Sequence, residues 1–251
     1  NEPLLYNISG VCYKAIGQLN DAVKSFEKAL AIKPDYIEVN YNLGVTLKEL
    51  GQLEDAVKCY EKAVALKPDY ADAHYNLGNT FKELGQLDEA VKCYEKALAV
   101  NPDFAEAYNN LGNALRDFGQ HDTAIKSYEK AVALKPDFAD AHANRGNALK
   151  RLKRLDEALA SYESAITLAP DLDFTLGDSL HTKMHLCIWD DLANRLNELT
   201  NKINNGKKVI KPFPLLALID DPEIQRKTAE IYAKRYPQSH VLPTIERYPK
   251  H

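Results

Sequence analysis

The 251-residue chain has no basic excess: 32 Lys and Arg stand against 36 Asp and Glu, a formal net charge of −4. Phosphate backbones are neutralised by clustered cations, so this balance speaks against a nucleic-acid partner. No apolar run approaches the ~20 residues that a membrane-spanning helix needs. The opening NEPLLYNISG has no initiator Met, no basic stretch and no apolar stretch, so no signal peptide is visible. That opening falls inside a repeat, and the chain therefore reads as cut from a longer protein. Cysteines number only four, Cys12, Cys59, Cys93 and Cys187, without CxxC or paired spacing, which reads as reduced thiols in a cytoplasmic protein. Gly-rich phosphate loops, HExxH, Ser/His/Asp sets and paired carboxylates are all missing. The chain is therefore read as no enzyme, with no cofactor and no metal. Its 45 % apolar and 27 % charged residues are ordinary for a packed protein.

What is present in abundance is repetition. Pro34, Pro68, Pro102, Pro136 and Pro170 stand 34 apart, as do Gly10, Gly44, Gly78, Gly112 and Gly146. Small residues follow at Ala22, Ala56, Ala90, Ala124 and Ala158, then Phe26, Tyr60, Tyr94, Tyr128 and Tyr162, then Ala29, Ala63, Ala97, Ala131 and Ala165. Five units result, 3–36, 37–70, 71–104, 105–138 and 139–172, so that 1–172 forms the array.

Each unit reads as two helices. In the third, 71–84 places His74, Leu77, Gly78 and Phe81 on one face, and Gly85 ends the helix in a left-handed conformation. A second helix from about Asp88 carries Ala90, Tyr94, Ala97 and Leu98, and Pro102 stops it. Gly78 is expected to meet Ala90 at a close helix crossing. Such a hairpin cannot bury its apolar faces alone and must stack on neighbours.

The order Leu77-Gly78, Phe81, Ala90, Tyr94, Ala97, Pro102 on a 34-residue period resembles the tetratricopeptide repeat (TPR) family. The resemblance implies an all-α, right-handed superhelix of antiparallel helix pairs that binds protein or peptide. Departures lie at the ends: Ser9 and Arg145 replace the leucine before glycine, and Lys153 replaces the turn glycine. The first unit is expected to lack a preceding neighbour, which leaves self-association through the array ends open.

With positions 4, 7, 8 and 11 of each first helix turned inward, positions 2, 6, 9 and 13 face the other way. Position 6 is Asn42, Asn76, Asn110 and Asn144; position 9 is Val45, Asn79, Asn113 and Asn147; position 13 is Glu49, Glu83 and Asp117. A column of amides can bond the main chain of an extended peptide without demanding particular side chains. The same asparagines could instead tie neighbouring helices together, and the sequence leaves both readings standing. The acids at position 13 should favour partners carrying Lys or Arg. No basic cluster stands there of the kind that holds a terminal carboxylate.

Beyond Pro170 the pattern changes. Residues 174–201 are apolar at helical spacing through Leu180, Met184, Leu186, Trp189, Leu192 and Leu196, with Trp189 expected to anchor this helix to the next. His181 and His185 share a helix face, a weak metal signal that reads as partly exposed helix histidines. An extended apolar stretch then leads to a helix with Asp221 as N-cap and Pro222 at its first position. Residues 173–236 read as a capping or linker region and 237–251 as a connector. Cys187, Trp189, Pro212, Phe213, Leu215 and Leu216 resemble the segment joining TPRs to the catalytic region in bacterial proteins similar to O-linked N-acetylglucosamine transferase and SPINDLY, with Ile188 where that family usually has Asp. The resemblance implies recognition duty within a glycosyltransferase; a stand-alone adaptor is the alternative.

Overall fold

The computed structural model describes residues 2–234, so the connector at 237–251 lies outside the described residues. Within them every regular element is a helix, and the helices fall into two compact units, one ending at Leu152 and one starting at Lys153.

The first unit holds α1 (Glu2–Ala15), α2 (Leu19–Ile32), α3 (Ile37–Glu49), α4 (Leu53–Leu66), α5 (Ala71–Glu83), α6 (Leu87–Val100), α7 (Ala105–Asp117), α8 (His121–Leu134) and α9 (Ala139–Arg151). Odd-numbered helices are the first helices of the repeats. Helices α1, α3, α5 and α7 each pack on the helix that follows, and α3, α5, α7 and α9 each pack on the helix before. The expected stripe is the core: Ala56, Tyr60 and Ala63, then Ala90, Tyr94 and Ala97, then Ala124, Tyr128 and Ala131 are all fully buried. A buried aromatic removes ~150–250 Å² from water, roughly 4–6 kcal/mol gross at ~25 cal/mol per Å².

The glycine at position 8 serves a different contact from the expected one. A Cβ at Gly78 would stand 2.8 Å from Cε1 and 2.9 Å from Cδ1 of Tyr94, and Ala90 is not among its nearest neighbours. The same holds for Gly44 against Tyr60 and Gly112 against Tyr128. The ring, not the alanine, is what the bare Cα admits. At the hairpin turns Gly51, Gly85 and Gly119 take φ of +75°, +75° and +80°. Gln86 N–H then bonds back to Phe81 C=O at 2.9 Å, the six-to-one closure of a Schellman motif. Between repeats, position 4 reaches back to the proline carbonyl: His74 Nε2 lies 2.9 Å from Pro68 O and His142 Nε2 lies 3.0 Å from Pro136 O. A carbonyl only accepts, so Nε2 carries the hydrogen in both histidines.

The second unit comprises α10 (Leu155–Leu168), α11 (Thr175–His185), α12 (Leu192–Asn204), α13 (Pro212–Leu215) and α14 (Pro222–Ala233). Within it α11 packs on α10. Ile166, Leu176, Leu180, Leu199, Ile203, Val209, Ile210, Leu215 and Ile224 form its core. Glu163 joins three helices, accepting from Ser179 at 2.9 Å and pairing with Lys183 at 3.0 Å and Arg195 at 3.7 Å. Asp221 caps α14 as expected, accepting from the backbone N–H of Glu223 and Ile224.

Two expectations for this segment are corrected. The single helix over 174–201 is two, broken where Cys187 and Asp191 take φ of 56° and 58°. Trp189 sits in that break and is 54 % exposed, outside the buried core of the unit.

Candidate functional site

The odd-numbered helices of the first unit carry the expected amides, and the structure shows what each amide touches. Position 6 bonds back across one repeat to position 5. Asn42 Nδ2 donates to Asn7 Oδ1 (3.3 Å), Asn76 to Tyr41 Oη (2.9 Å), Asn110 to Tyr75 Oη (2.9 Å) and Asn144 to Asn109 Oδ1 (3.0 Å). Tyr41 stacks on Tyr70 at 5.0 Å and Tyr75 on Phe104 at 4.7 Å, which fixes the rings whose hydroxyls receive these bonds. The ladder is thus a tie between helices. Asn110 is saturated: its Nδ2 also reaches Asn79 Oδ1 at 2.9 Å, and its Oδ1 accepts from Asn109 at 3.3 Å. Asn42 and Asn76 keep Oδ1 without a partner among the described residues, so each remains an acceptor for an incoming N–H.

Position 9 answers to the buried tyrosine of the same hairpin. Tyr94 Oη donates to Asn79 Oδ1 at 2.8 Å and Tyr128 Oη to Asn113 Oδ1 at 2.9 Å. In the second repeat Val45 stands there, and Tyr60 Oη is buried with no partner among the described residues. The first repeat avoids the problem by pairing Val11 with Phe26. Sequence reasoning missed this coupling, although the joint change from Val11/Phe26 to Asn79/Tyr94 was its visible signal. Burial pushes the hydroxyls of Tyr60, Tyr94 and Tyr128 well above the ordinary tyrosine value. Asn147 lies at the same position in α9 and is engaged.

The acids at position 13 are not free either. Glu49 pairs with Lys14 at 3.0 Å, Glu83 with Lys48 at 2.8 Å and Asp117 with Arg116 at 3.0 Å. The acids thus form a charge ladder with neighbouring cations. The cysteines are free thiols: Cys12 and Cys187 are exposed, while burial pushes Cys59 and Cys93 up to about 11. His181 and His185 meet edge to face at 4.6 Å, and no three His, Cys, Asp or Glu among the described residues group as metal ligands would. No described helix is long and apolar enough to cross a membrane.

This architecture is that of a solenoid built from helical repeats, and the comparisons agree. Sequence models of the TPR repeat match residues 12–51, 46–85, 78–117 and 112–153, and a tetratricopeptide repeat model matches 139–172. The chain belongs to the tetratricopeptide repeat family. It is similar to the solved structure of MamA, at 30 % identity and a TM-score of 0.62, over 63 % of this chain and 93 % of that one. A second MamA structure aligns at 29 % identity and a TM-score of 0.64, over 68 % and 93 %. YrrB, described as a TPR protein with an unusual peptide-binding site, shares the fold at 24 % identity and a TM-score of 0.62, over 71 % and 90 %. No curated protein matches the chain.

Proposed function

We propose that the first unit binds an extended segment of a protein partner along the face formed by its odd-numbered helices. Stacked repeats turn these helices toward an extended concave surface. One observation carries the reading: the amides left over from the inter-helix ladder include both acceptors and donors. Asn42 and Asn76 offer acceptors, and Asn79 and Asn113, whose Oδ1 atoms are held by tyrosines, offer donors. An extended main chain presents alternating N–H and C=O groups and fits such a row without demands on its side chains.

Two settings suit this face. The O-linked N-acetylglucosamine transferase-like setting rests on Cys187, Trp189, Pro212, Phe213, Leu215 and Leu216 alone, since the matching repeat models end at residue 172. A stand-alone adaptor fits the repeat matches equally. Four free thiols suit a reducing, cytoplasmic compartment. The test replaces Asn79 and Asn113 with aspartate, which keeps the acceptor for each tyrosine and removes the donor. Binding to a capped peptide array should fall several-fold with an unchanged melting temperature. Unchanged binding refutes the reading.

A further inference from the structure

We infer that the cleft lined by the first helices of the second, third and fourth repeats takes the carboxylate of an Asp or Glu side chain in the bound segment, with Lys82 as its cation. The inference rests on the peptide-binding reading above and specifies its partner. It begins with the charge ladder. Position 12 of one repeat pairs with position 13 of the next: Lys14 with Glu49 and Lys48 with Glu83. The next rung should be Lys82 with Asp117. Aspartate is one methylene shorter than glutamate, and Arg116 already holds Asp117 at 3.0 Å. Lys82 consequently forms no ion pair or hydrogen bond with any described residue.

Lys82 lines a cleft with Lys48, Asn79, Glu83 and Asn110. Burial holds Lys82 below the ordinary lysine value, with Asp117 pulling the other way. A partly desolvated, unpaired ammonium gains most from an anion that replaces lost water. Asn79 supplies the second donor: its Oδ1 is fixed by Tyr94 and Asn110, and of its two amide hydrogens the neighbouring Tyr75 hydroxyl takes no more than one. Charge selects the anion. Lys48, Lys82 and Arg116 against Glu83 and Asp117 leave one net positive charge, which one carboxylate matches. A phosphate monoester carries about −1.5 to −2 and would stand against Glu83 and Asp117.

The test uses capped peptides of serine and alanine with one central Glu, Gln or phosphoserine, and Gln versions with a free C-terminus. The parent chain should bind the Glu series about tenfold better than the Gln series, the low end for a charge-assisted hydrogen bond. Lys82→Met should abolish that preference and leave Gln-series binding unchanged. Removing an unpaired, half-buried cation should also leave the melting temperature equal or higher; Lys82→Gln is the second variant. Equal binding of Glu and Gln peptides overturns the anion site and spares the peptide-binding reading. A preference for phosphoserine or a free C-terminus overturns the side-chain carboxylate. Preference retained without Lys82 overturns its role, and a parent that binds no peptide overturns both readings.

Discussion

Replacing Gly78 with leucine tests how the hairpins close. The first added atom already stands 2.8–2.9 Å from two carbons of the Tyr94 ring, closer than real side chains approach. The ring cannot retreat cheaply, being fully buried and tied through its hydroxyl to Asn79 at 2.8 Å. Overpacking of this kind costs ~1–3 kcal/mol and occasionally more, and leucine brings three further heavy atoms. Relief of glycine's poor helix propensity returns only ~1 kcal/mol. A net loss of about 2 kcal/mol should lower the melting temperature of a chain this size by roughly 4–8 °C. Thermal unfolding followed by circular dichroism reads it. A cycle with Tyr94→Leu identifies the partner, because trimming the ring should make the double variant's loss smaller than the sum of the singles. An unchanged melting temperature, or strict additivity with Tyr94→Leu, would refute the contact.

Three further outcomes follow from the same repeats. Val45→Asn should give Tyr60 Oη the acceptor that Tyr94 and Tyr128 have, and raise stability by ~1 kcal/mol in chemical unfolding. Lys153 holds φ of 59° where other turns have glycine, so Lys153→Gly should stabilise by ~1 kcal/mol. With a thiol reagent at pH 8, Cys12 and Cys187 should react at once. Cys59 and Cys93, neutral until the pH nears their raised value of about 11, should react only on unfolding or strong alkali.

The fold was legible because the 34-residue period marks every hairpin twice, by glycine and by proline. Helix ends, the buried Ala-Tyr-Ala stripe and the Asp221 cap all follow from local rules of one turn or less. What the period conceals is partner choice across a repeat. Gly78 and Ala90 are both small, and small residues suggest each other, yet the bare Cα accommodates a ring four residues further along. The asparagines were legible as a face, but their division into ladder amides at position 6 and tyrosine partners at position 9 depends on contacts 35 and 15 residues away. The break at 186–191 was invisible because its left-handed residues are Cys187 and Asp191 instead of glycine. Without that break, helical spacing carried Trp189 into a helix it does not join.

The central claim, that the odd-numbered helices of the first unit receive an extended chain, is tested most directly by the side-chain amide resonances of its asparagines. A heteronuclear NMR titration with the tightest capped peptide from the array should shift the amide signals of Asn79 and Asn113 most. Asn42 and Asn76 should move less, since their contact is through Oδ1, and saturated Asn110 should move least. Shifts confined to the even-numbered helices or to residues beyond 153, with these asparagine signals unmoved at saturation, would contradict the account.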